Sequence, residues 1–199
     1  MVSVDAGAPD QADGGVVTGS VSAADPDGDD VSFAAESLVT AMGTLVVNTD
    51  GTFTFRPSAE ARHAAAADNA AQTGADQHTF TVVATDGLGA ATPIAVTVAI
   101  DPANQPPQPP DTVPASSVDP ATGGVISSVG YTDPDFDTLT YTGPTTTVGG
   151  GSLIVFADGT FEYTPTIGQR LAAYSALGES LDSFDVVVND GHGSVQTVA

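Results

Sequence analysis

The chain has 199 residues, of which 25 are acidic and three are cationic, so its formal net charge is −22. Nucleic acids and anionic membranes bind clusters of Lys and Arg, and three cations are too few to form such a surface. Both partners are therefore excluded. Cysteine is absent, which excludes a disulfide framework, and no stretch approaches the roughly 18 apolar residues of a membrane-spanning helix. Hydrophobic residues make up 41% of the chain, which is enough for two small cores.

Apolar and polar residues alternate along short segments, which is the pattern of half-buried strands. Turns rich in Gly, Asp and Pro separate these segments. An Ala-rich segment that follows Ser58 predicts a short helix. In chain order, the predicted elements of the first half are strands at 2–5, 15–23, 31–35, 43–48 and 52–56, a helix within 57–67, and strands at 78–85 and 92–100. Those of the second half are strands at 114–118, 124–131, 138–142, 151–156 and 160–164, a helix within 165–173, and strands at 183–188 and 193–198.

The two halves are also similar in sequence. Asp-Pro-Asp at 25–27 recurs at 133–135, and Asp-Gly-Thr-Phe at 50–53 recurs at 158–161, each 108 positions later. This spacing fits one self-contained domain per repeat. We expect a first repeat at 1–101, an extended Pro-rich linker at 102–113 and a second repeat at 114–199. Only nine residues follow Asp190, compared with the 14 residues 87–100 that follow Asp86 in the first repeat, so we expect a shortened last strand and an excerpt of a longer array.

Acidic residues concentrate in matching turns of the two repeats. Carboxylates at alternate positions of a turn converge and repel one another unless a cation lies between them, and calcium binds six to eight such oxygens. The alternative is a plain hydrophilic turn, because Asp, Pro and Gly are common turn residues. Recurrence in both repeats favours calcium, with candidate ligands Asp25, Asp27, Asp29 and Asp86 in the first repeat and Asp133, Asp135, Asp137 and Asp190 in the second.

Other site chemistries fit the sequence poorly. An EF-hand loop needs Gly at its sixth position, where Asp30 stands when the loop is counted from Asp25. The chain has no Trp to stack on sugars, no Gly-x-Ser-x-Gly motif and no thiol nucleophile. His63, His78 and His192 do not recur between the repeats and lack metal-ligand spacing, so we expect them at the surface. The sequence therefore predicts a protein that is not an enzyme.

Three segments of the first repeat resemble a known group. Val-Ser-Ala-Ala-Asp-Pro-Asp-Gly-Asp at 21–29, Gly-Thr-Phe-Thr-Phe at 51–55 and Phe-Thr-Val-Val-Ala-Thr-Asp-Gly at 80–87 are similar to a bacterial cadherin-like module, specifically the VCBS-type tandem repeat of large surface and secreted proteins. The resemblance implies an all-β chain of two tandem immunoglobulin-like or cadherin-like antiparallel β-sandwiches, each with a short helix before its penultimate strand. It also implies calcium at module junctions, where Asp133, Asp135 and Asp190 would meet linker residues Asp101 and Asn104.

The sequence thus supports a calcium-binding extender or adhesion segment of a large extracellular or cell-surface protein. Its expected partners are neighbouring repeats of the same polypeptide and a cell-surface or matrix target. The resemblance to cadherin sites is incomplete, because Gln105 stands where the linker usually has an acid. The alternative hypothesis is a calcium-independent spacer, or a carbohydrate-binding module attached to a secreted enzyme.

Overall fold

The computed structural model describes residues 1–175 and 181–199 and divides into two compact units, Met1–Asn104 (unit 1) and Gln105–Ala199 (unit 2). Antiparallel strands dominate both units, so the prediction of an all-β fold is confirmed. A separate linker over residues 102–113 stays a prediction. Within the described residues, no helix combines the length and the apolar character needed to cross a membrane.

Unit 1 contains two antiparallel sheets among its described residues, with strand orders β1-β2-β6-β5-β4 and β3-β7-β8. Inward-facing side chains from both sheets form one core. Its strands are β1 (Val2–Ala6), β2 (Val17–Ala23), β3 (Ser32–Phe33), β4 (Glu36–Thr40), β5 (Gly43–Val47), β6 (Thr52–Pro57), β7 (Gln77–Thr85) and β8 (Ala91–Ala99), and helices α1 (Ala59–Ala66) and α2 (Ala70–Thr73) connect β6 to β7.

The core of unit 1 is centred on aromatic rings from β6 and β7. Phe53 and Phe55 alternate with threonines on β6, and both rings are at most 2% exposed. Phe80 of β7 meets the edge of Phe53 at a centroid distance of 5.2 Å. Each fully buried Phe contributes about 1.5–3 kcal/mol to folding. The alternation in the sequence therefore marks the residues that hold the two sheets together.

Capping and one partly buried ion pair hold helix α1. Ser58 Oγ accepts a hydrogen bond from the Ala61 backbone amide at 3.0 Å, which satisfies a donor at the helix start. The Arg62 guanidinium donates to an Asp101 carboxylate oxygen at 2.8 Å and to the Asp101 carbonyl at 3.0 Å. These side chains are only 22% and 12% exposed, so the charge-assisted pair is well shielded from water. Arg62 therefore joins the helix to the end of unit 1.

Unit 2 has the sheet orders β12-β13-β10-β9 and β11-β14-β15. Its described strands are β9 (Ser117–Val118), β10 (Val125–Ser128), β11 (Thr140–Thr142), β12 (Ser152–Val155), β13 (Thr160–Thr164), β14 (Val186–Asn189) and β15 (Val195–Val198), and helix α3 (Ile167–Ser175) follows β13. Thr166 and Gln169 form a reciprocal capping box at the start of α3, with bonds of 2.7 and 3.1 Å.

A hydrogen-bond network centred on Asp182 links helix α3 to the strands of unit 2. The Asp182 carboxylate accepts hydrogen bonds from the hydroxyls of Thr147 and Tyr163, the side-chain amide of Gln169 and the backbone amide of Gly149. These donors, led by Thr147, hold the pKa of Asp182 well below its usual range. Burial and the hydrogen bond to Asp182 raise the pKa of Tyr163 to about 12.

Unit 1 has Phe55 and His78 at the positions that correspond to Tyr163 and Asp182. The rings of Phe55 and His78 stack with their centroids 5.0 Å apart.

The sequence analysis missed one strand of unit 1, and its expectation for one histidine was wrong. The edge strand β4 was not predicted, because all five of its residues are exposed and show no apolar alternation. His78 was expected at the surface, but it is partly buried beside Phe55 and Phe80. Burial lowers the pKa of His78, because it disfavours the charged imidazolium.

Replacing His78 with Phe should reduce the sensitivity of unit 1 to acid. The unfolded chain binds a proton at His78 more readily than the folded chain, so this contribution to stability is complete above about pH 6.5 and is lost as the pH falls. All four Tyr lie in unit 2, so tyrosine fluorescence follows unit 2 alone, whereas circular dichroism follows both units. Urea unfolding at pH 7.5 and 5.5 should show a smaller pH-dependent loss of unit 1 stability in His78→Phe than in the wild type. An equal loss in both proteins would contradict this role for His78.

Candidate metal centre

Two acidic loops lie at the same end of unit 2. One loop, residues 133–137, precedes β11, and the other, residues 190–194, follows β14. Strand β11 pairs with β14 in antiparallel register, with Thr140 opposite Asn189. The start of β11 is therefore adjacent to the end of β14, and the sheet brings the two loops together.

The first loop is folded by its own leading aspartate. One Asp133 carboxylate oxygen accepts hydrogen bonds from the backbone amides of Asp135 at 2.8 Å and Asp137 at 3.2 Å. The turn places one oxygen from each of Asp133, Asp135 and Asp137 within 4.8 Å of the others. Three carboxylates at this separation repel one another, which makes the cluster an attractive position for a cation.

The other oxygen of Asp133 supports the fit of a cation at this cluster. Asp133 Oδ2 is buried and has no hydrogen-bond partner within residues 1–175 and 181–199. A buried, unsatisfied carboxylate oxygen costs free energy, and a bound cation would remove that cost. Hard carboxylate oxygens are the ligands that calcium prefers. The donor set of Asp133, Asp135 and Asp137 therefore fits this ion.

Gln105 and His192 form the surroundings of the cluster, and the sequence did not predict either role. The Gln105 backbone amide and side-chain amide donate to the two Asp135 oxygens at 2.7 and 2.9 Å. His192 Nδ1 lies 3.2 Å from Asp137 Oδ2, and its side chain is 22% exposed rather than at the open surface. The only sequence signal for His192 was its place in the Asp-Gly-His-Gly loop, beside candidate ligand Asp190.

Asp190, the single acid of the 190–194 loop, is only 2% exposed. One of its oxygens accepts backbone amides from His192 at 2.8 Å and Ser194 at 3.2 Å. The ring nitrogen of His192 that faces Asp137 also lies 3.1 Å from the Asp190 carbonyl oxygen. His192 therefore connects the Asp190 loop to the acidic cluster.

The corresponding loops of unit 1 are more open. Asp25 accepts the Asp27 amide at 2.7 Å, and Asp86 accepts three backbone amides from Leu88, Gly89 and Ala90. Asp25 and Asp86 line one cleft of about 140 Å³, whereas Asp27 and Asp29 are exposed. Among the described residues, no group of three close metal-ligating side chains lies wholly within unit 1.

The two predicted linker ligands belong to unit 1. The Asp101 carboxylate is held by Arg62 and by the side-chain amide of Gln11 at 3.2 Å. Asn104 is the last residue of the same unit, and its side-chain oxygen is buried. Coordination of an ion by Asp101 or Asn104 stays a prediction.

Residues 2–102 match the family model of the bacterial cadherin-like domain, and residues 104–199 match that of the bacterial Ig domain. No curated protein matches the chain. Similar solved structures include the human desmocollin-1 ectodomain, at 16% identity and a TM-score of 0.34 over 91% of this chain and 31% of that chain. Drosophila OTK extracellular domains 3–5 give 15% identity and a TM-score of 0.37 over 94% of this chain and 55% of that chain. Human protocadherin-24 EC1-2 gives 11% identity and a TM-score of 0.31 over 89% and 80%, respectively.

Replacing Phe136 with Gly should stabilise unit 2. Phe136 has a φ of 66°, a left-handed conformation that costs non-glycine residues about 1–2 kcal/mol, and its side chain is 93% exposed. The corresponding residue of unit 1 is Gly28, with a φ of 89°. Relief of strain, less the entropy that Gly gains in the unfolded chain, should add roughly 0.5–1 kcal/mol in urea unfolding followed by tyrosine fluorescence.

Val148→Gly is the matched control for this substitution, because Val148 is 85% exposed and is not among the residues with positive φ. It should give no gain in stability. Equal effects of the two substitutions would show that Phe136 carries no strain.

Proposed function

The chain belongs to the bacterial cadherin-like domain family, with a bacterial Ig domain in tandem, and we propose that it is a calcium-binding extender or adhesion segment of an extracellular bacterial protein. Both families are structural and adhesion domains, and we propose that the chain has no catalytic role. Its partners on this proposal are the neighbouring modules of the same polypeptide and a target on a cell surface or in a matrix.

One observation carries the calcium assignment. One oxygen from each of Asp133, Asp135 and Asp137 lies within 4.8 Å of the others, and the buried Oδ2 of Asp133 has no hydrogen-bond partner among the described residues. Hydrogen bonds from Gln105 orient Asp135, so part of the ligand set is already arranged before an ion binds. The small number of cations in the chain supports the same conclusion, because few Arg side chains are available to neutralise the acids.

The affinity for calcium determines how much a bound ion can stabilise unit 2. Extracellular modules bind calcium with dissociation constants of about 0.1–1 mM. At about 1 mM calcium, a 0.1 mM site adds roughly 1.4 kcal/mol to the stability of the unit that contains it. This is small beside the roughly 5–15 kcal/mol stability of a typical domain. On this proposal, the ion fixes the acidic loop rather than enabling the unit to fold.

Calcium should raise the melting temperature of unit 2, and the double substitution Asp133→Asn and Asp135→Asn should abolish the rise. A stabilisation of about 1.4 kcal/mol corresponds to roughly 5–10 °C for a domain of this size. Tyrosine fluorescence in 1 mM calcium and in excess EDTA measures the shift in unit 2 alone. In EDTA, the variant should be at least as stable as the wild type, because the substitutions remove repulsion between carboxylates.

The matched control is Asp158→Asn, which removes an acid from a turn of unit 2 outside the cluster. It should keep the full calcium response. If the double variant also keeps it, the ligand assignment is wrong. If the wild type shows no response, the acidic turns are solvated loops and a calcium-independent spacer becomes the better assignment.

Replacing Gln105 with Glu should strengthen calcium binding and weaken unit 2 in the absence of calcium. The new carboxylate would replace an amide that lies 2.9 Å from Asp135, adding repulsion in the empty cluster and attraction for a cation. One charge at about 4 Å contributes about 1 kcal/mol in water, or about fivefold in affinity, and a divalent ion doubles that energy. Calorimetric titration of calcium should therefore show at least about a fivefold lower dissociation constant.

Gln108→Glu provides the control, because Gln108 lies in the same segment but its side chain donates to the Pro106 carbonyl. This variant should bind calcium as the wild type does. Equal effects at positions 105 and 108 would indicate a general effect of added charge rather than a ligand next to Asp135.

A further inference from the structure

One carboxylate oxygen of Asp182 holds an alcohol and a carboxamide side by side. Asp182 Oδ2 accepts a hydrogen bond from the hydroxyl of Thr147 and, at 2.7 Å, from the side-chain nitrogen of Gln169. The Tyr163 hydroxyl donates to the same oxygen at 2.9 Å. Thr147 is only 6% exposed, so its hydroxyl is shielded from water. An alcohol, a carboxylate base and an acyl group are the three components of an acyl transfer.

Successive glycines in the loop between β11 and β12 allow this close arrangement. A Cβ added at Gly149 would lie 2.5 Å from Gln169 Nε2 and 2.8 Å from Asp182 Oδ1. A Cβ added at Gly151 would lie 3.1 Å from Thr147 Oγ1. The Gly149 amide also donates to Asp182 Oδ1 at 2.6 Å. The loop backbone therefore packs directly against the reacting groups, and a larger side chain at either glycine would push them apart.

The carboxamide of Gln169 is also held from its oxygen side. Gln169 Oε1 accepts the backbone amide of Thr166 at 2.7 Å, at the start of helix α3. Negative charge develops on this oxygen when a nucleophile attacks the carbonyl carbon, and a backbone donor at a helix N-terminus stabilises such charge. The nitrogen of the same carboxamide is held by Asp182. Both ends of the group are therefore contacted by partners that favour its attack.

The fold itself does not require this network. Unit 1 has side chains without a hydroxyl, a carboxylate or a carboxamide at the four positions that correspond to Thr147, Tyr163, Gln169 and Asp182, namely Val39, Phe55, Ala61 and His78. Unit 1 still builds its two sheets and its helix α1. The reacting groups are therefore specific to unit 2.

We propose that unit 2 forms an intramolecular ester between the side chains of Thr147 and Gln169, with Asp182 as the catalytic base. The Thr147 hydroxyl oxygen attacks the side-chain carbonyl carbon of Gln169, and the hydroxyl proton passes to Asp182. Asp182 then gives this proton to Gln169 Nε2 as the bond between Cδ and Nε2 breaks. One ammonia molecule leaves, the ester bond between Oγ1 and Cδ remains, and no co-reactant is consumed.

The reaction occurs once in each molecule, so a slow step is sufficient. The hydrogen bonds that lower the pKa of Asp182 keep it ionised at neutral pH but also make it a weak base. The fixed proximity of the reactants therefore supplies most of the rate. The product joins the loop before β12 to helix α3, much as a disulfide would in a chain that contained cysteine. The cross-link is independent of calcium binding.

Intact-mass spectrometry of the full chain tests the proposal. The wild type should be lighter than the mass calculated from its sequence by about 17 Da, the mass of the released ammonia. Cleavage before aspartates should give residues 137–157 and 158–181 as one linked species, because Thr147 lies in the first peptide and Gln169 in the second. Thr147→Ser keeps the hydroxyl and should show the same loss of mass.

Thr147→Val and Asp182→Asn should keep their calculated masses, because the first lacks the nucleophile and the second lacks the base. Thr145→Val is the matched control, since Thr145 lies in the same loop with an exposed side chain, and it should still lose ammonia. A wild type that keeps its calculated mass after several days at neutral pH would overturn the proposal and leave a network of hydrogen bonds alone. Loss of ammonia from Thr147→Val or from Asp182→Asn would overturn it as well.

Discussion

A single hydrogen bond recurs throughout the loops of this protein: an aspartate oxygen accepts the backbone amide two residues further along the chain. It occurs in matching loops of both units, at 25, 50 and 86 in unit 1 and at 133, 158 and 190 in unit 2. Where the turn also contains a threonine hydroxyl, the added bond lowers the pKa of the aspartate, as at Asp50 and Asp158. With only three cations in the chain, these six carboxylates are stabilised mainly by hydrogen bonds from backbone amides rather than by Lys or Arg.

The hydrogen bonds within each acidic turn determine which carboxylate oxygens remain available to bind an ion. Asp158 directs one oxygen to both the amide and the hydroxyl of Thr160, and it lies outside the acidic cluster. One oxygen of Asp133 accepts two backbone amides, and the other is buried with no partner in the part of the chain that the structure describes. The same turn chemistry therefore gives a structural aspartate at one position and a candidate ligand at another. The difference lies in the sequence of the turn, because Asp135 and Asp137 follow Asp133 at alternate positions.

The two units also stabilise equivalent positions by different means. Unit 1 stacks Phe55 on His78, whereas unit 2 places the Tyr163 hydroxyl against Asp182. The stacked pair lies beside the large apolar core of unit 1. The polar pair belongs to the hydrogen-bond network around Asp182, in a unit whose described core contains fewer buried residues. Equivalent positions of the two units are thus stabilised by aromatic contact in one and by hydrogen bonding in the other, although both positions lie between similar antiparallel sheets.

The sequence predicted most strands, because alternation of Phe, Val and Thr reports directly which face of a strand is buried, and Ser58 correctly marked the start of a helix. It missed β4, whose exposed residues leave no such pattern. The convergence of Asp133, Asp135 and Asp137 followed from their alternate spacing within one turn. The contacts of Gln105 and His192 did not follow, because each depends on a loop far away in the sequence, which only the folded chain brings close.

Calcium titration followed by amide NMR tests the central claim most directly, because each loop amide reports on its own aspartate. Binding at the acidic cluster should give saturable shifts at the amides of Asp135 and Asp137, which bond to Asp133, and at the amide of His192. The Thr160 amide, in the turn of Asp158, should barely move. Small shifts that are spread over all acidic loops and rise linearly with calcium would contradict a specific site.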